Sequence, residues 1–184
     1  MALVIPGKTP CAISGRIIAG NDRVLCFPPF STTPDDPAVM CSDACVLTDE
    51  FEKWEFRDHV IALVKTFWIQ QYHTSESFTV VYRDDEFLFA KGKIEAKIRI
   101  LFLNYAFVID IPWTAWRDFR TQLLNMQDAV SVSPYSTVAL SFIKKTDKVE
   151  IRIDTQGGGW DCIELSLSKW SRFQSILAAG GMYQ

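Results

Sequence analysis

The sequence predicts an α+β protein with an irregular amino-terminal cap, one long helix, and an antiparallel sheet that carries two helices on one face. Three observations predict this class. Residues 1–48 are rich in Pro, Gly and Cys and show no sustained periodicity. Apolar residues then recur at helical spacing, and from residue 76 onward they alternate with polar residues, which is typical of half-buried strands. This order of elements fits one packed core of helices and sheet.

The composition fits a single domain over residues 1–184. Hydrophobic residues make up 48% of the chain, which is enough to bury one core. The net charge of -3 creates no field that attracts phosphate backbones, so we expect no nucleic-acid partner. No stretch reaches the roughly 18 apolar residues of a membrane span, and the start MALVIPGKTP lacks the pattern of an export signal. We therefore expect no membrane contact and a cytoplasmic location.

The cap, residues 1–48, is predicted to consist of loops with one short hairpin. An odd number of cysteines at irregular spacing, without an export signal, disfavours a disulfide framework, so we expect free thiols. Buried, unreactive thiols are the favoured interpretation, and we expect no cofactor. A zinc site with four thiolates stays open, although its spacing matches no usual structural zinc pattern. Its ligands would be Cys11, Cys26, Cys41 and Cys45.

Negative charge is concentrated in residues 31–58, which hold eight acidic and two basic residues. The simpler interpretation is a solvated loop, followed by acidic residues that complement a helix dipole. The alternative is a surface that meets a basic partner and steers its association. Under that hypothesis the candidate partner-binding residues in this segment are Asp35, Asp36, Asp43, Asp49 and Glu50.

One long helix is predicted over residues 49–73. Asp49, with Glu52 three residues later, has the spacing of an N-cap and its reciprocal acid. The apolar residues that follow cover much of the helix circumference, so we expect the helix to be largely buried. They include Trp54, Phe56, Val60, Ile61, Leu63, Val64, Phe67 and Trp68.

Residues 76–184 are predicted to form the sheet and its two helices, as a repeated βββα unit. The predicted strands are residues 86–91, 94–103 and 106–111 in the first unit and residues 137–144, 148–154 and 160–166 in the second. At an offset of 54 residues, Trp113, Trp116, Phe119 and Leu123 fall on Leu167, Trp170, Phe173 and Leu177. The shared spacing predicts two helices that bury equivalent faces. Convergence is the alternative, because any strand followed by an amphipathic helix looks similar.

No catalytic or cofactor motif is found in the sequence. His59 and His73 would lie about 21 Å apart on one helix, so they cannot share a metal ion. No nucleophile signature surrounds any cysteine, and glycines 157–159 fit a hairpin turn and not a phosphate loop. Trp160, next to that turn, is a candidate anchor for a protein partner. A position in the core or on the sheet face is the simpler interpretation for this tryptophan.

The first 50 residues or so resemble the amino-terminal region of a group of small bacterial proteins. The matching residues are IPGK at 5–8, Cys11, Gly15, GND at 20–22, FP at 27–28, DP at 36–37 and SDA at 42–44. Members of that group start with IPGK, continue with a Cys-x-x-Cys-Gly zinc knuckle, and close it with His-x-x-Cys-Phe just after SDA. They resemble immunity proteins of polymorphic toxin systems.

Three of the four ligands that this resemblance implies are replaced. When Phe51 is set on the final Phe of the motif, Ser14, Leu47 and Glu50 stand where Cys, His and Cys are expected, and only Cys11 remains. The resemblance therefore implies a retained loop scaffold that has lost its zinc site, and we expect no metal.

The predicted function is to bind a cognate bacterial toxin and to neutralise it by occlusion, without catalysis. Two alternatives stay open. An adaptor or structural protein of a secretion system would share this composition. An enzyme of unrecognised type would assemble its site from distant positions. A deep pocket with several carboxylates, or a cysteine beside a histidine, would favour the enzyme.

Overall fold

A computed structural model describes residues 3–30, 32–105, 107–135, 138–155 and 160–179 of the chain. The predicted α+β class is confirmed, because over these ranges the chain forms four α-helices and ten strands in three antiparallel sheets. No helix within these ranges is long and apolar enough to cross a membrane. Glycines 157–159, which are predicted to form a turn, lie outside the described residues.

A small two-stranded ladder organises the cap. Strand β1 (Val24–Cys26) pairs antiparallel with β2 (Cys45–Leu47), and a 3₁₀-helix (Pro37–Cys41) lies between them in the chain. Asp36 caps this short helix, since its Oδ1 accepts the N–H of Ala38 at 2.8 Å. The ladder and the surrounding loops close over an apolar core of their own. Its buried members from the cap are Cys11, Ile18, Phe27, Phe30, Ala38, Cys41, Cys45, Val46 and Leu47.

Two of the cysteines that we expected to be free thiols are bonded to each other. Cys26 and Cys45 are direct partners in the β1–β2 ladder, with Cα atoms 4.2 Å apart, and they form a disulfide. The prediction of free thiols is wrong for this pair, because strand pairing places the two residues opposite each other and their spacing in the sequence does not reveal it. Cys11 and Cys41 are free and buried, and Cys162 is free and partly buried.

The predicted long helix is two helices. Helix α1 (Thr48–Phe51) has a single turn, and α2 (Arg57–His73) follows after a short connection. In that connection the N–H of Trp54 bonds the Phe51 carbonyl and the N–H of Arg57 bonds the Trp54 carbonyl, each at 3.1 Å. Bonds to the third preceding residue replace the α-helical pattern and break the helix. Phe51 and Trp54 lie on either side of the break, with ring centroids 6.5 Å apart.

The capping and burial of this region also differ from the prediction. Leu47, and not Asp49, occupies the N-cap position of α1, and no side chain caps that end. Glu52 pairs instead with Arg57, with Oε2 2.9 Å from Nε. Helix α2 is buried along one side only, so the prediction of a largely buried helix is wrong. Its buried residues are Val60, Ile61, Val64 and Tyr72.

The rest of the chain forms two units of four strands and a helix. The first unit consists of β3 (Phe78–Arg83), β4 (Phe87–Gly92), β5 (Lys97–Phe102), β6 (Phe107–Pro112) and α3 (Trp113–Leu124). The second consists of β7 (Ala129–Tyr135), β8 (Val138–Lys144), β9 (Lys148–Thr155), β10 (Trp160–Ser166) and α4 (Leu167–Ala178). Each set of four strands is an antiparallel meander, so the structure has two such sheets where the sequence predicted one. The repeat unit is accordingly ββββα and not βββα.

The strand of the second unit that the pattern missed is β7. Among the side chains of β7 that the structure describes, Val130 and Val132 lie against the core, and the register of the strand shifts between Val132 and Tyr135. A short apolar alternation that is interrupted by a bulge gives little periodic signal.

Each helix packs against strands of its own unit and also contacts the sheet of the other unit. Phe173 of α4 lies with its ring centroid 5.4 Å from both Phe87 and Phe102 of the first sheet. Phe119 of α3 lies 5.9 Å from Phe142 of the second sheet. The two sheets and the two helices therefore share one core, in which all five of these rings are fully buried or nearly so.

The two helices are joined by a reciprocal pair of hydrogen bonds. Arg120 Nε donates to the Leu177 carbonyl at 2.9 Å, and Gln174 Nε2 donates to the Leu123 carbonyl at 2.8 Å. Arg120 corresponds to Gln174, and Leu123 to Leu177, at the same offset of 54 residues that relates the apolar stripes. Each helix thus satisfies a carboxyl-terminal carbonyl of the other. The two bonds are therefore exchanged symmetrically between α3 and α4.

The outer faces of the two sheets differ. On the first sheet, α2 covers the outer face, and Tyr72 and Trp68 pack against residues such as Leu88 and Leu101. On the second sheet the outer face is polar, and Ser131 and Ser141 lie there with their Oγ atoms 3.2 Å apart. The cap meets this second face at β10, where it forms a cleft.

Candidate functional site

The amino-terminal turn of the cap lies against α1. It contains Cys11 and Ser14, which stand at two of the four positions where the resemblance implies zinc ligands. The N–H of Gly15 donates to the Cys11 carbonyl at 2.8 Å and closes a tight turn. Gly15 has a φ of 73°, in the left-handed region that glycine adopts without strain. The N–H of Arg16 then donates to Ser14 Oγ at 3.2 Å. The turn therefore presents both Cys11 and Ser14 to the segment that follows β2.

All four ligand positions meet around one point. The Cys11 thiol donates to Glu50 Oε2 at 3.0 Å, and the N–H of Leu47 donates to Cys11 Sγ at 3.4 Å. Glu50 also accepts a hydrogen bond from the Ser14 hydroxyl. Residues that the sequence separates by more than thirty positions thus form one hydrogen-bonded cluster, the Cys11 cluster: Cys11, Ser14, Leu47 and Glu50.

The electrostatics of the Cys11 cluster favour an ionised carboxylate. The hydrogen bonds from Cys11 and Ser14 lower the pKa of Glu50, and Arg16 adds a positive charge at 3.5 Å. The nearby Cys41 behaves differently, because burial, with a smaller contribution from Cys11, raises the pKa of its thiol to about 12. Cys41 is therefore a neutral, buried thiol.

The Cys11 cluster does not fit a structural zinc ion. Such sites use four Cys or His ligands, whereas the cluster offers one thiol, one hydroxyl, one carboxylate and an aliphatic side chain. The described part of the chain holds no group of three His, Cys, Asp or Glu residues placed to hold a metal ion. The alternative with four thiolates fails as well, since the disulfide uses Cys26 and Cys45.

Two of the five predicted acidic contact residues serve the fold. Glu50 belongs to the Cys11 cluster. Asp36 accepts hydrogen bonds from the Thr32 hydroxyl at 2.6 Å and from Ala38, and its Oδ2 lies 2.8 Å from His59 Nε2 of α2. The bonds from Thr32 and His59 lower the pKa of Asp36 to about 2. Asp36 therefore ties the 3₁₀-helix of the cap to α2.

The other three predicted acidic contact residues are exposed. They are Asp35, Asp43 and Asp49. Asp49 lies 3.6 Å from Arg23, and Asp43 has a φ of 52°, a conformation that Asp tolerates better than most residues. The sixth predicted contact residue, Trp160, begins β10, and its side chain lies outside the described part of the structure. These four stay predicted partner-binding residues.

A cleft of about 460 Å³ separates the cap, α1 and α2 from the outer face of the second sheet at β9 and β10. Its apolar lining comes from Leu25, Phe51, Ile61 and Ile163. Its polar lining comes from Arg23, Thr48, Glu52, Arg57, Tyr105, Glu150, Arg152, Cys162 and Glu164. Arg23 crosses the cleft, because its Nη2 donates to the Cys162 carbonyl of β10 at 3.4 Å.

Acidic and basic groups neutralise one another in this cleft. Each of three glutamates in the lining forms an ion pair. Arg57 lies 2.9 Å from Glu52, and Arg152 lies 2.7 Å from Glu150. Lys148 lies 2.8 Å from Glu164. The bond from Arg152 lowers the pKa of Glu150, and burial raises the pKa of Cys162. General acids need a raised carboxyl pKa and nucleophilic thiols a lowered one. These two groups are therefore not tuned for catalysis, and neither histidine lines the cleft.

Sequence reasoning missed the cleft and its three arginines, Arg23, Arg57 and Arg152. They come from three distant segments, and only tertiary packing brings them together. One signal was present, because Glu150 and Arg152 alternate with apolar residues along β9 and so predict a charged outer face.

Comparisons of the chain with family models, with curated proteins and with solved structures find no match. The features that bear on function are the resemblance in the cap and the geometry of the Cys11 cluster and the cleft.

Proposed function

We propose that the protein is an immunity protein that binds a cognate bacterial toxin and neutralises it by steric occlusion. The observation that carries the proposal is the Cys11 cluster. The resemblance to knuckle-bearing immunity proteins singles out four positions from their order in the sequence, and these same positions lie together in the cap. A scaffold that keeps this arrangement after its metal ligands have been replaced supports descent from that group.

The charges of the cap and the cleft support a role in binding. Asp35, Asp43 and Asp49 present negative charge to solvent, and a basic toxin would be attracted to it. The cleft contains several carboxylates, which the enzyme hypothesis requires, but each has a basic partner. A surface of paired charges around an apolar lining suits recognition of a protein better than proton transfer.

A cytoplasmic location belongs to the same proposal. Reducing conditions in that compartment work against the disulfide between Cys26 and Cys45. The buried apolar core of the cap, which includes Phe27, Phe30 and Phe51, supports a fold that persists without the disulfide. Binding is therefore expected both with and without a thiol reductant.

The test uses the product of the gene next to the one that encodes this chain. That product is expressed in bacteria alone and together with this chain, and growth is measured. The two purified proteins are then mixed, with and without reductant, and complex formation is measured by calorimetry. We expect growth to be arrested by the neighbouring product alone, restored by co-expression, and accompanied by a tight complex.

Two results would overturn the proposal. A neighbouring product that neither binds this chain nor is neutralised by it would make the enzyme hypothesis the leading one. A complex that leaves growth arrested would favour the adaptor hypothesis.

A further inference from the structure

We infer that the partner binds the outward face of the 3₁₀-helix in the cap, where Val39 and Met40 form an apolar centre between two exposed acids, Asp35 and Asp43. The inference rests on the proposed function, because the partner is the toxin proposed above. It adds the face that makes contact and the chemistry of the partner surface that fits it, which is an apolar recess surrounded by basic groups.

The first observation is that the 3₁₀-helix buries its small side chains and exposes its large ones. Residues three apart in such a helix lie on the same side. Ala38 and Cys41 have this spacing, and both are fully buried in the core of the cap. Val39 and Met40 lie between them and are 43% and 44% exposed. The packing of the helix therefore presents two adjacent apolar side chains to solvent, and their burial by a partner would be favourable.

The second observation is that this face is anchored at both ends. Asp36 caps the start of the helix and lies 2.8 Å from His59 of α2. At the other end the Ser42 hydroxyl donates to the Phe30 carbonyl at 2.8 Å, and the Ser42 N–H donates to the Val39 carbonyl at 3.1 Å. A segment that is anchored in this way loses less conformational freedom on binding than a free loop, which favours affinity.

The third observation concerns the charges beside the apolar centre. Asp35 and Asp43 are exposed, and each is four residues from Val39 in the chain. Four residues of chain span at most about 14 Å. A standard interface covers about 800 Å² on each partner. A partner that covers Val39 and Met40 with a surface of this size therefore comes close to both acids.

Charge selects the occupant of this face. Residues 31–58 hold eight acidic and two basic residues. Two copies of the chain that met through this same face would bring like charges together, which is unfavourable. A nucleic acid would also add negative charge. A protein with basic groups around an apolar recess complements the face, and the flexible thioether of Met40 can adapt to the shape of that recess.

The primary test measures the oxidation of Met40 in the wild-type protein, free and in complex with the neighbouring gene product. Dilute hydrogen peroxide converts exposed methionine to its sulfoxide, and mass spectrometry follows the rate. Oxidation of Met40 should slow by about tenfold or more in the complex, because the partner would cover the thioether. Met126, which is only 9% exposed, is the internal control and should react slowly in both samples.

A double variant supplies the second test. Val39→Ala together with Met40→Ala removes the apolar centre. It should raise the dissociation rate by about tenfold or more and change the association rate less, because contacts at the centre of an interface act after the encounter. The melting temperature should change little, since both side chains are exposed in the free protein.

Ile94→Ala is the matched control, because Ile94 is an apolar residue that is 83% exposed on a different surface. It follows Lys93, whose N–H donates to the Ser77 carbonyl beyond the carboxyl end of α2. The cap contacts the other end of this helix, whose 17 residues span about 25 Å. Ile94→Ala should therefore bind like the wild type.

The outcomes separate the two proposals. Absence of any complex overturns the proposed function and this inference together. A tight complex in which Met40 oxidises as in the free protein, or from which the double variant dissociates like the wild type, overturns this binding face alone and leaves the immunity function standing. Self-association of the free chain that the double variant loses, measured by sedimentation, would assign the face to a second copy and overturn the inference. If the double variant does not fold, the oxidation of the wild type decides.

Discussion

Glu50 stands at a position where the resemblance implies a metal ligand. Its hydrogen bonds hold the amino-terminal turn against α1. Its carboxylate accepts from the thiol of Cys11 and the hydroxyl of Ser14, and Arg16 lies 3.5 Å away. Hydrogen bonds to an ionised group are stronger than those between neutral groups. The cluster can therefore connect the two segments without a metal ion.

At this residue scale we predict that stability depends on Glu50 and not on zinc. Glu50→Ala should lower the free energy of unfolding by about 1 to 3 kcal/mol, because it leaves the buried thiol of Cys11 without its acceptor. The protein should contain well under one equivalent of zinc, and a chelator should not change its melting temperature. Denaturant unfolding and elemental analysis provide the two measurements.

Glu55→Ala is the matched control, because Glu55 is an exposed acid in the same segment. It should change the free energy of unfolding by less than about 0.5 kcal/mol. Stoichiometric zinc in the purified protein, or a Glu50→Ala variant as stable as this control, would contradict the prediction.

At the scale of elements, local periodicity predicted the helices that follow the sheets. The stripes that contain Trp116 and Trp170 face the core, and both tryptophans are only 4% exposed. The same reasoning failed over residues 49–73, because the apolar residues on both sides of the connection fit a helical period and the pattern does not show that α1 ends at Phe51. The contacts of each helix with the sheet of the other unit left no trace in periodicity, since either sheet would bury the same stripe.

We predict that Trp116→Ala and Trp170→Ala each lower the free energy of unfolding by about 3 to 5 kcal/mol, because each leaves a large cavity between helix and sheets. Trp116 stacks on Phe119 with ring centroids 5.8 Å apart, and Trp170 lies 5.9 Å from Phe142. Denaturant unfolding measures the loss. Trp113→Ala is the control at a partly exposed position and should cost less. A loss below about 1 kcal/mol for either core tryptophan would mean that its ring does not fill the core.

At the scale of the whole molecule, the sequence predicted the fold class and the location of the negative charge, but not the surfaces that tertiary packing creates. Asp36 and Glu50 look like the other acidic residues in the sequence, yet both are hydrogen-bonded within the cap. The disulfide and the cleft were missed for the same reason, because each joins residues that are distant in the chain. Strand pairing and the packing of the cap against β10 determine those contacts.

We predict that the three exposed acids of the cap and α1, Asp35, Asp43 and Asp49, steer association with a basic toxin. Replacing Asp35, Asp43 and Asp49 together with Asn should slow association several-fold at low ionic strength, and the difference should shrink as salt is raised, because exposed charges are screened. Stopped-flow mixing at several salt concentrations measures the rate. The melting temperature should change little, since these three side chains are exposed.

The control variant changes the same number of charges elsewhere on the surface. Asp118, Asp128 and Asp147 are exposed and lie outside residues 31–58, so their replacement with Asn should leave the association rate nearly unchanged. Equal rates for the wild type and the variant of the cap would exclude the exposed acids from steering.

The packing of α4 against the first sheet affects how the chain folds during synthesis. Phe87 and Phe102 of the first sheet pack against Phe173, which lies in the last helix. The ribosome releases the first sheet well before α4, so a nascent chain leaves the part of this aromatic face that Phe173 covers exposed until α4 has been synthesised. Exposed apolar surface of this kind is prone to aggregation and is what chaperones bind. Truncation before α4 should therefore yield a chain that is degraded or aggregated, and not a folded first half.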